Sequence, residues 1–299
     1  MKRQLKFIQT IILLILLVVA AAGCSKTEAG APIEYSDPVF GELLKTELNK
    51  DAITPEDLDK FTRITIGGDH FISLSGGDIP EKSIILYFGT EVEYEGVRYK
   101  GFGTMTSLED LKHFRNLEKL QITLQPGIDY STLPQEVLAK LRTISISQSQ
   151  LKNIDFLKGA ASMFSLNLAF GEVQDLSPLA ACTELVTLSG SENPIDDLSP
   201  LTGLTKLKTI SLYSSQIKDL TPLSGLTALE TLELYNNQVE DLTPLSALTN
   251  LKELELIDNN IKDVSPLKDL TNLESLRLDG NPIENIDVLS HMENLVLKP

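Results

Sequence analysis

Tryptophan is absent from this 299-residue chain and aromatic residues make up only 6% of it, so whatever core it builds is aliphatic. Cysteine is nearly as scarce. Two residues, Cys24 and Cys182, cannot make a disulfide framework. Histidine appears three times, as His70, His113 and His291, with no shared spacing, which speaks against a histidine metal centre. Basic residues are outnumbered, 26 against 42 acidic, for a formal charge of -16. That balance excludes a nucleic-acid partner, because little is left to neutralise a run of phosphates. No phosphate loop, metal cluster or nucleophile elbow appears, so neither a cofactor nor an enzymatic activity is expected. What the chain does have is aliphatic residue in quantity: 42% of it is apolar, enough for a sizeable core.

The apolar residues open with a run. Lys2, Arg3 and Lys6 precede FIQTIILLILLVVAAA (7–22), which ends at Gly23 and Cys24. A basic start, a short apolar stretch and small residues before a break form a secretory signal. The stretch is shorter than the roughly 20 residues a spanning helix needs. Its end, Ala21-Ala22-Gly23-Cys24, resembles a bacterial lipoprotein box, with Ala21 in place of the more usual Leu or Val. The resemblance implies cleavage before Cys24, acylation of its thiol, and attachment to the extracytoplasmic face of a bacterial membrane. Two acyl chains hold durably where one does not. Cleavage removes three positive charges from -16 and leaves -19. The organisation expected is a signal over 1–23, a lipidated cysteine and flexible tether over 24–36, a helical cap over 37–50, and a repeat array over 51–299.

From Ser131 onward the chain matches itself every 22 residues. The clearest copies are DLSPLTGLTKLKTISLYSSQIK (197–218), DLTPLSGLTALETLELYNNQVE (219–240) and DLTPLSALTNLKELELIDNNIK (241–262). They fit the leucine-rich repeat pattern L-x-x-L-x-L-x-x-N-x-L. Their length and DLTPL wording resemble the internalin-type repeats of bacterial surface proteins. The fold expected is therefore a curved solenoid of about ten turns, with a parallel β-sheet on its concave face. In one turn, Leu254 and Leu256 point inward from a short strand, and Leu242, Leu245, Leu248, Leu251 and Ile261 join them from the connecting segments. Pro200, Pro222, Pro244 and Pro266 read as holding the chain extended as it leaves the bend. The column Asn193, Asn237, Asn259, Asn281 reads as structural, satisfying backbone groups at the bend. The column Asp197, Asp219, Asp241, Asp263 reads as local capping rather than a calcium ladder. Cys182 occupies a leucine slot and reads as core.

Upstream the period loosens. Irregular turns over 51–130 include Leu58, Phe61, Ile64 and Ile66, then Leu111, Phe114, Leu117, Leu120 and Ile122, at the repeat's apolar positions. DPVFGELLKTELNK (37–50) has helical spacing at Val39, Leu43, Leu44 and Leu48 and reads as the cap that an open solenoid end requires. Residues 75–106 fit no turn. They read as a β-hairpin insertion, a strand over 84–92 and another over 97–104, joined at Gly96. Tyr87, Phe88, Tyr94, Tyr99 and Phe102 concentrate here, either packing the hairpin down or forming an exposed contact surface.

Every other strand residue faces outward on the concave side. The early turns place small hydroxylic residues there. Later turns place Tyr213, Tyr235 and Ile257 in one slot, with Glu233, Glu253, Glu255, Arg277 and Asp279 beside them. Adjacent strands lie about 4.8 Å apart, so the slot should form one contiguous stripe. An aromatic-aliphatic stripe beside carboxylates suits a basic and apolar protein partner, which the internalin resemblance also implies; adhesion is one such role. A cell-envelope polysaccharide stacking on tyrosine is the alternative. A purely structural scaffold predicts that changes on this face do nothing.

Overall fold

A computed structural model of the protein describes residues 30–77, 86–88, 91–292 and 295–297. The signal stretch and Cys24 lie outside the described residues. Fourteen strands and three α-helices are seen among the described residues. Ten strands form one parallel sheet, in the order β1 (Arg63–Gly67), β6 (Lys119–Thr123), β7 (Thr143–Ser147), β8 (Ser165–Asn167), β9 (Thr187–Ser189), β10 (Thr209–Ser211), β11 (Thr231–Glu233), β12 (Glu253–Glu255), β13 (Ser275–Arg277) and β14 (Val296–Leu297). Each pairs with the next in strict register: Thr209 with Thr231, Thr231 with Glu253, Glu253 with Ser275. The result is a curved leucine-rich repeat solenoid.

Leucine spacing builds this sheet. Leu232 and Leu234 alternate with Thr231, Glu233 and Tyr235, and only the leucines are fully buried. The same alternation recurs at Leu254 and Leu256. One continuous aliphatic core runs from Phe40 to Leu289. Cys182 sits in it beside leucines, fully buried, and burial pushes its thiol pKa up. A thiol so placed is a core side chain rather than a nucleophile.

The corners follow from backbone chemistry. Asn237 donates its amide to the carbonyls of Leu212, Leu234 and Tyr235 (2.9, 3.0 and 3.4 Å), and its oxygen accepts from Ile217 N–H at 3.0 Å. Asn193, Asn259 and Asn281 repeat this pattern. Each asparagine thus closes its own corner and ties it to the turn before. Asp197, Asp219, Asp241 and Asp263 accept from the N–H two residues on, all at 2.8 Å. This is the local capping expected of them. It opens a 3-10 turn in which the prolines sit: Pro200 within Ser199–Leu201, Pro222 within Thr221–Leu223. The prolines therefore begin tight helical turns instead of holding the chain extended. Their fixed φ suits both conformations, and the missing N–H costs nothing at a helix start.

The N-terminal end is closed by two devices. Helix α1 (Pro38–Leu48) covers the core, burying Phe40 and Leu44. Its N-cap Asp37 is buried and accepts from Val39 N–H (2.9 Å), Phe40 N–H (3.2 Å) and, across the chain, Thr106 N–H (2.8 Å). Asp110, equally buried, accepts from the N–H groups of Ser36 and Asp37 at 2.9 and 2.8 Å. Two carboxylates thereby fasten the cap to the second turn. Gly41 is needed here, because a Cβ on it would lie 2.6 Å from the Tyr35 ring. The strand edge is covered separately by β2 (Phe71–Ser75), which pairs antiparallel with β1. Sequence reading missed β2, because the pattern FISLS carries no turn of its own.

The insertion also differs from the expected hairpin. It is a three-stranded antiparallel sheet, β3 (Leu86–Phe88), β4 (Glu91–Tyr94) and β5 (Val97–Lys100). The single strand expected over 84–92 is two strands. The β4–β5 turn at Glu95-Gly96 is where expected, with both residues at positive φ. Tyr94 stacks on Phe71 (4.1 Å, 8°) and Tyr99 on His70 (5.3 Å, 24°), so these aromatics pack the insertion down. Phe102 is exposed, and the side chains of Tyr87 and Phe88 lie outside the described set.

The asparagine column has a gap at Ser215, whose buried hydroxyl has no partner among the described atoms. Ile195 N–H, which an asparagine there would receive, turns to Asn193 O instead. Ser215→Asn should complete the ladder and raise the unfolding free energy by about 1 kcal/mol. A higher urea midpoint would bear this out; a lower one would mean that the corner cannot admit the amide.

Candidate partner-binding face

The strands place three outward columns on the concave side. Thr231, Glu253 and Ser275 belong to the first, Glu233, Glu255 and Arg277 to the second. Tyr213, Tyr235, Ile257 and Asp279 form the third, just past the strand ends. The structure brings the two tyrosines together, with ring centroids 4.2 Å apart and planes within 9°. Both rings are half-buried, as is Ile257 one turn on. The stripe begins abruptly, since the residue before Tyr213 in its column is Ser191. That serine is fully buried, its hydroxyl taken by Ser211 O and Tyr213 N–H.

The carboxylates stand where expected. Glu233 and Glu255 are direct register partners on β11 and β12. Like charges so placed repel, which is a cost to the sheet. Arg277 relieves one side, its guanidinium 3.6 Å from Glu255. Glu253 and Asp279 are exposed at opposite edges of the face. The effect is felt at Tyr235. Its hydroxyl is pushed well above the ordinary phenol range, chiefly by burial, then by Tyr213 and by the charges of Glu233 and Glu255. A cationic, partly apolar group would relieve this negative surplus and cover the rings.

Two features escaped sequence reading. Phe164 and Phe170 are exposed at either end of β8, with Arg142 over the Phe164 ring at 5.6 Å. Phe170 also has a left-handed backbone, φ 61°, shared once per turn by Leu124, Gln148, Glu192, Ser214, Asn236, Asp258 and Gly280. Asparagine, aspartate and glycine tolerate that conformation and could have signalled it in the last turns. Leucine, glutamine and phenylalanine hide it in the early ones. Among the histidines, His70 turns out to seat the insertion: its Nε2 lies 3.0 Å from Lys100 O. His113 is half-buried, and burial lowers its pKa.

A curved stack of leucine-lined turns with an open, differentiated concave sheet defines a leucine-rich repeat binding protein, and a family model described as "Leucine Rich repeats (2 copies)" matches residues 205–247 and 249–291. Internalin C2 from Listeria monocytogenes is similar in structure, with 30% identity and a TM-score of 0.63 over 83% of this chain and 98% of that one. The chain belongs to the internalin-like leucine-rich repeat proteins. A second Listeria monocytogenes internalin (inlF) is 28% identical, with a TM-score of 0.62 over 92% of this chain and 86% of that one. No curated protein matches the chain.

The electrostatic reading of the face is testable by titration. Tyr235 should stay protonated at a pH where ordinary tyrosines, with pKa near 10, are half ionised. The double change Glu233→Gln/Glu255→Gln should bring its pKa down while leaving the ring stack intact. Tyrosine-ring NMR shifts followed across alkaline pH would show it. An unmoved titration in the double variant would remove the carboxylates from the account.

Proposed function

We propose that the chain is a non-catalytic protein-binding module, tethered by lipid at Cys24 to the extracytoplasmic face of a bacterial membrane, and that it grips its partner on the Tyr213–Tyr235–Ile257 stripe. The internalin-like fold supports a protein-interaction module. The observation that carries the choice of site is the stacked tyrosine pair, flanked by Glu233 and Glu255 in register. Rigid half-buried rings lose little entropy on binding and supply anchor area. Carboxylates beside them select a basic partner. Glu253, Arg277 and Asp279 form the polar rim. Among the described residues no helix is long and apolar enough to cross a membrane, so the attachment proposed rests on the N-terminal residues and their lipoprotein-like end.

Two measurements follow. The full chain should capture a protein from envelope or host-surface extracts. The folded variant Tyr213→Ala/Tyr235→Ala/Ile257→Ala should lose about 2 kcal/mol or more of that affinity, over tenfold. Equal capture by both forms would move the site elsewhere. Capture of purified glycan with no protein would favour the polysaccharide alternative. Separately, labelled palmitate should enter the wild-type chain and not Cys24→Ser, which should also leave the membrane fraction. Unchanged labelling of the serine variant would end the lipoprotein reading.

A further inference from the structure

A second site is legible in the way charge is distributed along the solenoid. Residues 111–170 carry seven basic side chains against four acidic, whereas residues 171–292 carry seven against twenty. Where this zone meets the end of the first turn there is a cleft at the edge of the sheet, on the side where the chain enters each strand. Lys60, Arg115, Lys140 and Arg142 line it, with two carboxylates, Asp59 and Glu118.

The same rim can be followed along the whole solenoid, because its backbone bonds run without a break. Glu118 N–H bonds to Thr62 O, Arg142 N–H to Glu118 O, Phe164 N–H to Arg142 O, and the chain continues through Val186, Lys208, Glu230 and Lys252. In the later turns the rim cations are neutralised. Lys208 and Lys252 lie 2.7 and 2.8 Å from the two oxygens of Glu230, and Lys206 lies 2.6 Å from Glu184. Those lysines hold the Glu230 carboxyl down at about 2. In the early turns one rim cation of the cleft is so paired. Arg115 takes Asp59 at 3.2 Å and Glu56 at 3.3 Å. The other three cations make no ion pair among the described residues. Lys140 donates to the neutral carbonyl of Arg115 (2.9 Å), Arg142 lies over the Phe164 ring, and Lys60 over the Phe61 ring at 5.1 Å. Aromatic faces and a carbonyl position these cations without cancelling their charge.

We infer that this cleft binds a small phosphate-bearing anion, either a free diphosphate or the phosphate of a lipid headgroup, through Lys60, Lys140 and Arg142. Arginine and lysine converging on one opening supply a fork and two point charges, the donor set that phosphate oxygens take. The overall charge of -16 does not oppose this, since its field is screened beyond about 8 Å at physiological salt. It does limit the ligand's size. Acids dominate from Glu172 onward, so a long polyanion laid along the rim would be repelled after a few turns.

The rim carries its own control. The full chain would be held in phosphatidylcholine bilayer discs, titrated with pyrophosphate, and its lysines acetylated. Lys60 and Lys140 should become protected saturably, while Lys206 and Lys208 keep their reactivity. Lys140→Glu/Arg142→Glu should weaken pyrophosphate binding roughly tenfold or more, as expected for losing charge-assisted bonds. Lys206→Glu/Lys208→Glu, at equivalent rim positions, should leave it unchanged. The lipids distinguish the sources: protection of Lys60 and Lys140 without added anion, whether by phosphatidylcholine's own phosphate or only in discs containing phosphatidylglycerol, assigns the site to a lipid headgroup, and protection by pyrophosphate alone assigns it to a free phosphate. Equal loss in both double variants would reduce the effect to diffuse electrostatics and overturn the site. So would an absence of protection in every disc. Neither result touches the tyrosine stripe.

Discussion

The core leucines of each turn are dry only because the neighbouring turns are present. A typical turn contributes a strand of three to five residues and a short helical corner, too little to enclose anything. Burial of Leu232, Leu254 and Leu276 depends on parallel pairing between turns, and pairing depends on corners that repeat without drift. The asparagine amides enforce that repetition, because each one reads the carbonyls of two successive turns. Everything exposed on the concave side inherits its position from this constraint. Two tyrosines stack at 4.2 Å because their backbones are locked one strand spacing apart, with no help needed from a shared pocket.

The concave sheet was legible in the sequence because its determinants are periodic. Alternating leucines, the asparagine column, the aspartate caps and the cysteine in a leucine slot each state their role by position. Tyr213, Tyr235, Ile257 and the glutamates could be placed on one face by counting alone. Aperiodic parts were harder to read. Strand β2 was missed because a lone edge strand leaves only a short alternation, and its job of covering β1 exists only in three dimensions. The insertion was read as two strands where three occur. The prolines were misassigned because one φ value serves extended chain and 3-10 turn alike. The left-handed corner residue was hidden by Leu124, Gln148 and Phe170, side chains that do not advertise that backbone.

The two ends of the solenoid differ in chemistry although they share a backbone. Toward the C-terminal side the concave face accumulates carboxylates and aromatic surface, and the rim lysines are cancelled by glutamates one turn away. Toward the N-terminal side the concave floor is small and hydroxylic, and Lys60, Lys140 and Arg142 on the rim are left with aromatic or carbonyl neighbours. A repeat scaffold permits this division because a surface substitution in one turn leaves the next turn's packing untouched. The buried polar network of Asp37 and Asp110 lies outside the division, joining the helical cap to the second turn.

The missing amide at Ser215 has a mechanical meaning. Tension along the solenoid axis, applied between its N-terminal end and the tyrosine stripe, is carried turn by turn through strand bonds and corner asparagines acting in parallel. Between the turn holding Tyr213 and Ser215 and the one before it the asparagine tie is absent, leaving the strand bonds, the Ser191 hydroxyl's bonds to Ser211 O and Tyr213 N–H, and the corner bond from Gln216 N–H to Ile195 O. That boundary is therefore laced more lightly than those closed by Asn237, Asn259 and Asn281, and a sufficiently hard pull would open it before them, leaving the turns from Tyr213 onward still joined.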